Sequence, residues 1–194
     1  MDFKQRCISL FLEIKSLILG PKKFWNERKS RHIPVNVISH VFLPLVLLVG
    51  LAVFLGEIIT SPEILWSYAF FKGIREIVSY SLQFIIAVPV LAVLLKNFGG
   101  TPDRKTVRLV LAYTLVPFLL ASFVTGLFHA LYIVSIAGLY GFYLFAIGPL
   151  IMLEIPVENQ SRYVILAILL IILIFGLVNI VCWRLFQALF PYGA

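Results

Sequence analysis

Long apolar runs separated by short polar stretches dominate the chain from residue 35 onward. The longest run without Asp, Glu, Lys or Arg extends over 45 residues, from Leu109 to Leu153. One helix of that length would measure about 67 Å, roughly twice the thickness of a bilayer's hydrocarbon core. The run therefore predicts two antiparallel spans. Their reversal is expected at Gly126-Leu-Phe-His129, where glycine weakens the helix and His129 is polar.

The same pattern, read along the whole chain, predicts five membrane-spanning helices. Their bounds are about 35–59, 77–95, 107–127, 130–153 and 163–186. The second helix is expected to begin earlier, at the interface, because Thr60-Ser61-Pro62-Glu63 combines a hydroxyl cap, a first-turn proline and an acid near the positive end of the helix dipole.

An amphipathic helix is predicted ahead of the spans, over residues 3–19, with Gly20-Pro21 as its stop signal. Most of its polar side chains, with Lys4 and Lys15 as the exceptions, share one arc at helical spacing, as in a helix that lies in the headgroup plane. The arc contains Gln5, Arg6, Ser9, Glu13 and Ser16. The predicted fold is all-α, a polytopic membrane protein with five transmembrane helices preceded by an amphipathic interfacial helix. It divides into a cytoplasmic basic segment at 1–34 and a transmembrane domain at 35–190.

Composition agrees with this class, since 61% of the 194 residues are hydrophobic and only 13% are charged. A soluble fold of this size would need more polar surface. Cys7 and Cys182 lie near opposite ends of the chain, which argues against a disulfide framework. No removable signal peptide is expected, and the first span should serve as the targeting signal.

The distribution of Lys and Arg predicts the orientation. Eight precede the first span, four lie between the second and third, and one lies between the fourth and fifth. On the other side of the membrane, two lie before the second span, none lies between the third and fourth spans, and one, Arg184, lies near the end of the chain. Since positive charge near short loops stays in the cytoplasm, the amino terminus should be cytoplasmic and the carboxyl terminus outside.

The stretch after Pro21 mixes cations with aromatic side chains, which favours contact with anionic lipid headgroups at the cytoplasmic face. A docking surface for a soluble partner is the alternative. The candidate contact residues are Lys22, Lys23, Trp25, Arg28, Lys29 and Arg31.

Prolines in the first four spans suggest either kinks in a packed bundle or interrupted helices that line a transport path. The candidate intramembrane polar and kink residues are Tyr113, Pro117, Ser122, Tyr143, Pro149, Asn179 and Arg184. Arg184 is expected either to extend toward the interface or to pair with Glu57 or Glu63. Gly138, Gly141 and Gly148 should allow a neighbouring helix to approach closely.

No catalytic or metal-binding motif is recognised. His32, His40 and His129 are far apart in sequence, and no paired-cysteine or HExxH spacing occurs. Glu154 and Glu158 are predicted to lie in a solvated loop. We therefore expect no enzymatic activity, no cofactor and no nucleic-acid partner.

Three stretches are similar to short motifs of one membrane-protein family. Gly20-Pro21-Lys22-Lys23-Phe24-Trp25 is similar to a Pro-x-x-x-Trp opening before the first span. Ala112-Tyr113-Thr114-Leu115-Val116-Pro117 is similar to a Gly-Tyr-Ser motif that leads to proline, with alanine in place of glycine. Together with the segment from Tyr140 to Pro149, which is similar to the fourth span of that family, they resemble the Yip1 superfamily, in particular its small bacterial branch of five-span inner-membrane proteins. The resemblance implies five spans, a cytoplasmic amino terminus and no established catalytic residues.

The sequence supports two hypotheses about the function. The first is a non-enzymatic membrane-organising or partner-recruiting protein that uses its basic amino terminus as a contact surface. The alternative is a small transporter or lipid translocator whose kinked helices enclose a polar path near Tyr113, Ser122, Tyr143 and Asn179. A protein partner and a homo-oligomer are both compatible with the sequence.

Overall fold

The computed structural model describes residues 3–31, 36–60, 66–101 and 103–190, which form helices and no strand. The helices are α1 (Phe3–Leu19), α2 (Pro21–Arg31), α3 (Leu43–Thr60), α4 (Trp66–Asn97), α5 (Arg104–Thr114), α6 (Val116–Leu127), α7 (Tyr140–Met152) and α8 (Val157–Leu189). A π-helical turn at Ile38–Phe42 leads into α3, and a 3₁₀ helix at His129–Leu139 leads into α7.

Within the part of the chain that the structure describes, five helical segments are long and apolar enough to cross a membrane, which confirms the predicted fold class. They are Ile38–Thr60, Trp66–Asn97, Arg104–Leu127, His129–Met152 and Val157–Leu189. The fifth is longer than predicted because its helix continues into polar flanking sequence. The second helix begins before residue 77, as the sequence indicates. The predicted helix start at Thr60-Ser61-Pro62-Glu63 falls largely outside the described residues, since the description resumes at Trp66.

Pro117 interrupts the third span. α5 ends at Thr114, and α6 begins at Val116. Proline has no N–H to donate, and its ring clashes with the carbonyl four residues earlier, here that of Tyr113. Pro149, by contrast, lies inside the continuous helix α7.

The reversal between the third and fourth spans is at Phe128, whose φ of −126° and ψ of 89° are not helical. The location agrees with the prediction, but the role given to Gly126 was wrong, because Gly126 lies inside α6. A Cβ on Gly56 of α3 would collide with the Gly126 carbonyl oxygen, and a Cβ on Gly126 would lie 2.8 Å from Val53 Cγ2. Gly126 therefore permits close packing of α3 and α6.

The chain divides into two compact units. Unit 1 comprises Met1–Pro44, Val88–Val116 and Gly141–Ile168. Unit 2 comprises Leu45–Ala87, Pro117–Tyr140 and Leu169–Ala194. Residues 1–34 thus belong to the same unit as parts of the later spans. The predicted functional division at residue 34 stays a prediction.

Each unit has a buried aromatic group. In unit 1, Trp25, Tyr113, Phe145 and Tyr163 are almost completely buried. In unit 2, Tyr68 packs against Phe186 and Phe190, with ring centroids 5.3 and 5.8 Å apart. The buried area of such large side chains contributes strongly to packing.

Candidate functional site

A partly buried carboxylate joins four elements of unit 1. Glu13 Oε2 accepts a 2.7 Å hydrogen bond from Tyr113 Oη and a 3.1 Å hydrogen bond from Arg28 Nη2. His40 Nε2 lies 3.6 Å from the other carboxylate oxygen, Oε1. Glu13, Arg28, His40 and Tyr113 are called the Glu13 cluster below. It connects α1, α2, the π-helical turn and α5.

The Glu13 cluster is shielded from its surroundings. The side chain of Arg28 is only 9% exposed, those of His40 and Glu13 are 19% and 23% exposed, and Tyr113 is completely buried. Arg28 also donates to Tyr113 Oη, and its guanidinium carbon lies 5.1 Å from the centroid of the Tyr113 ring. Charge-assisted hydrogen bonds are stronger in such a low-dielectric site than in water.

Helical spacing explains which side of α2 faces the core. Phe24, Trp25 and Arg28 occupy positions i, i+1 and i+4, which share one face of a helix. The Phe24 and Tyr113 ring centroids are 4.9 Å apart, and those of Trp25 and Tyr113 are 5.9 Å apart. A Cβ on Gly148 of α7 would lie 3.0 Å from Trp25 Cζ2, so the glycine makes room for the indole.

The structure corrects two predicted surface contacts, Trp25 and Arg28. Trp25 has no exposed area, and Arg28 points inward to Glu13. The aromatic and cationic side chains suggested an interface, but the carboxylate of α1 compensates Arg28 and the large indole fills a space beside Gly148.

Three of the other predicted contacts in α2 remain accessible. Lys22, Lys23 and Lys29 are exposed, and together they are called the basic face of α2. Lys23 makes an i,i+4 pair with Glu27 at 4.0 Å, which is weak because both groups are solvated. The predicted contact at Arg31 involves a side chain outside the described part of the structure.

A polar cleft of about 480 Å³ lies between α1 and α2, next to the Glu13 cluster. It is lined by Gln5, Ile8, Ser9, Leu12, Glu13, Ser16, Phe24, Glu27 and Arg28. Four members of the polar arc predicted for α1 therefore turn toward α2, namely Gln5, Ser9, Glu13 and Ser16, while Phe11 is 67% exposed on the apolar side of the helix.

The predicted intramembrane polar residues occupy different environments. In unit 1, Tyr113 is buried in the Glu13 cluster, whereas Tyr143 is 49% exposed. In unit 2, Ser122 is hydrogen-bonded to Tyr80 at 2.5 Å, whereas Asn179 lines an open cleft.

Glu57 has partners other than the one predicted. Its side chain, 9% exposed, accepts a hydrogen bond from Lys72, and one of its carboxylate oxygens lies 3.5 Å from His129 Nε2. Arg184 is exposed and makes no ion pair with Glu57 in the described structure. The proposed Arg184–Glu57 pair was therefore wrong, and Glu63 lies outside the described residues. The sequence did contain a signal for the correct partner of Glu57, because Lys72 is a cation in the interfacial helix that was predicted to follow Glu57.

Asp103 caps the amino terminus of α5. Its carboxylate accepts hydrogen bonds from the Lys105 and Thr106 backbone N–H groups at 2.9 and 3.2 Å, and from the Thr106 hydroxyl. The hydrogen bond from the Thr106 hydroxyl is the main cause of the lowered pKa of Asp103. Burial opposes it by raising the pKa, and the two backbone hydrogen bonds lower the pKa further.

The three stretches that resemble a known family meet in unit 1. Trp25 comes from the first, Tyr113 from the second and Gly148 from the third, and the contacts described above join Trp25 to both of the others. Sequence reasoning did not anticipate this convergence. The inward spacing of Phe24, Trp25 and Arg28 was the signal that could have found it.

Comparison with protein families gives a match to the Yip1 domain over residues 15–180. Comparisons with curated proteins and with solved structures give no match. The matched region contains all three stretches and most of the five candidate spans. The chain therefore belongs to the Yip1 family and is an integral membrane protein.

Proposed function

We propose that this protein is a non-enzymatic membrane-organising protein of the bacterial inner membrane, which presents the basic face of α2 to anionic lipid headgroups. The observation that carries the proposal is the fixed orientation of α2. Trp25 and Arg28 anchor one side of the helix in unit 1, while Lys22, Lys23 and Lys29 remain exposed. A cation near an anionic membrane surface contributes about 1 kcal/mol, and a held geometry avoids the entropic cost of ordering the segment on binding.

The Glu13 cluster supports this proposal because it ties α2 to α1 and α5. A flexible basic tail would bind lipid only through its charge. A helix held by buried contacts presents its charges in a fixed arrangement, which suits a protein that gathers particular lipids around itself. Partner recruitment through the same face belongs to the same proposal.

The proposed orientation has a cytoplasmic amino terminus and an external carboxyl terminus, supported by the asymmetry of Lys and Arg between the two sides. Cys7 is exposed and Cys182 is buried, so one native thiol can report the orientation. A membrane-impermeant maleimide should label Cys7 in inverted inner-membrane vesicles and not in intact spheroplasts. Labelling in intact spheroplasts would contradict the orientation.

Lipid selectivity tests the organising role. The full-length protein is reconstituted in vesicles of phosphatidylcholine and phosphatidylglycerol and then extracted in polymer discs, and the ratio of the two lipids in the discs is measured by mass spectrometry. Phosphatidylglycerol should be enriched around the wild-type protein. The triple variant Lys22→Gln, Lys23→Gln, Lys29→Gln should lose this enrichment.

The matched control removes the same number of positive charges elsewhere. Lys96, Arg104 and Lys105 are also exposed and should be replaced together by glutamine. This variant should keep most of the enrichment, because its charges lie outside the basic face of α2. Equal losses in the two triple variants would show a general charge effect and would contradict the proposal.

A further inference from the structure

Unit 2 contains a second polar cleft, of about 790 Å³, between α4 and α8. It is lined by Arg75, Glu76, Asn179, Ile180, Trp183, Arg184 and Gln187. Both helices that form it are candidate membrane spans. Two guanidinium groups on the surface of membrane helices are costly unless an interface or a ligand compensates them.

The cleft has an excess of positive charge. Among the described residues that line it, Glu76 is the only acidic one, and its carboxylate already accepts a hydrogen bond from Arg75. Arg184 is exposed on α8 and adds a second cation. An anion that enters the cleft would therefore meet net positive charge.

The guanidinium of Arg75 is held in place. Its carbon lies 4.7 Å from the centroid of the Trp183 ring and 5.6 Å from that of Phe186, and its side chain is 14% exposed. Its Nε–H is buried and has no hydrogen-bond partner among the described residues. A planar guanidinium with an unused donor, supplemented by the amides of Asn179 and Gln187, suits the oxygens of a phosphate group.

The surroundings indicate where such a phosphate would come from. On α8, the apolar side chains of Leu177, Ile180, Val181 and Leu185 are 55%, 60%, 56% and 62% exposed. In a membrane these side chains face acyl chains. Trp183, which is 37% exposed, is a residue type enriched at the headgroup level. A lipid can place its phosphate in the cleft while its chains lie along this apolar surface.

We propose that the cleft between α4 and α8 binds the phosphate headgroup of an anionic membrane phospholipid, with Arg75 and Arg184 as its cationic ligands. Asn179 and Gln187 supply further donors, and Trp183 holds Arg75 in position. This site lies in unit 2 and uses none of the lysines in the basic face of α2. It therefore does not depend on the function proposed above.

Native mass spectrometry of the full-length protein tests the site. The wild-type protein, delipidated in a mild detergent, is titrated with phosphatidylglycerol. One lipid should stay bound at collision energies that remove the others. Arg184→Gln should weaken binding of this lipid about tenfold, the effect expected for the loss of one charge-assisted hydrogen bond. Arg184→Lys, which keeps the charge, should restore part of the affinity.

Arg162→Gln is the matched control, because Arg162 is exposed in unit 1 and its replacement changes the net charge by the same amount. It should leave the retained lipid unchanged. Equal weakening by Arg184→Gln and Arg162→Gln would overturn the proposal. Arg184→Gln leaves Arg75 unchanged, so a loss of binding cannot be attributed to a disrupted contact between Arg75 and Trp183.

Competition distinguishes a lipid site from a simple anion site. Inorganic phosphate, added in large excess, should not displace the retained phosphatidylglycerol, because the acyl chains contribute to its binding. Displacement by inorganic phosphate would show an anion site that does not require a lipid, which would overturn the assignment.

Discussion

Tyr113 donates a 2.7 Å hydrogen bond to Glu13, and this bond joins residues that are 100 positions apart in the chain. The tyrosine belongs to the third span, and the glutamate belongs to the helix that precedes all five spans. Arg28 contacts both, so that α1 and α2 are attached to α5 within unit 1 through a partly buried charged group. The amino-terminal segment is thus a packed part of the fold.

Replacement of Glu13 by alanine should destabilise the protein by about 2 kcal/mol, because the buried guanidinium of Arg28 loses its carboxylate. The value is below that of a fully buried pair, since 23% of the Glu13 side chain is exposed. Tyr113→Phe should cost about 1 kcal/mol through the loss of its hydroxyl. Denaturant unfolding in mild detergent measures both. Glu27→Ala, at an exposed position of α2, should change stability by less than about 0.5 kcal/mol; a loss as large as that of Glu13→Ala would contradict the prediction.

Gly148→Ala should destabilise unit 1 by about 1 to 2 kcal/mol because the added methyl group overpacks Trp25. It would lie 3.0 and 3.1 Å from two atoms of the indole and 3.3 Å from Val110 Cγ1. Gly176→Ala is the control, since no atom lies within 4 Å of its Cβ position. This variant should be more stable than the wild type by about 0.5 kcal/mol, because alanine favours a helix more than glycine does. The two variants are compared by thermal unfolding.

The smaller ring of phenylalanine provides a further check on the contact at Gly148. Trp25→Phe should itself destabilise the protein, but adding Gly148→Ala to it should cost less than in the wild-type background. Strictly additive losses would show that Gly148 and Trp25 do not interact in the folded protein.

Lys72→Met should destabilise unit 2 by about 2 kcal/mol, because Glu57 is left with His129 as its remaining described partner in a buried position. Arg184→Leu and Arg184→Lys should have similar stabilities in detergent without added lipid, since Arg184 is exposed and does not pair with Glu57. Thermal unfolding of the three variants tests this assignment. A loss in Arg184→Leu that matches that of Lys72→Met would contradict it.

Asp103 should make stability depend on pH in the acidic range. Its folded pKa is below the ordinary value of 3.8, so the unfolded chain binds a proton more readily than the folded protein. The contribution of its ionised form is therefore complete above the unfolded pKa and is lost as the pH falls through the folded pKa. Asp103→Asn keeps an N-cap residue without this titration. The difference in melting temperature between wild type and Asp103→Asn should shrink as the pH falls below 3.8; a constant difference would contradict the prediction.

The sequence by itself determined the number and approximate positions of the spans and the helix at residues 3–19. It indicated Pro117 and Pro149 alike as candidate kinks, of which Pro117 interrupts its helix and Pro149 does not. These features depend on local properties. An apolar run must satisfy its backbone hydrogen bonds within its own helix when it crosses lipid, and proline removes one of them wherever it lies. The Yip1 resemblance was also available from short motifs and was confirmed by the family match.

Only the tertiary structure decided which faces pack and which charges pair. In a membrane span both the buried and the lipid-facing sides are apolar, so periodicity does not distinguish the side of α6 that meets Gly56 from the side that meets lipid. The partners of Glu13 and Glu57 depend on contacts between distant parts of the chain. For the same reason, Trp25 and Arg28 could be taken for surface anchors until α1, α5 and α7 were placed around them.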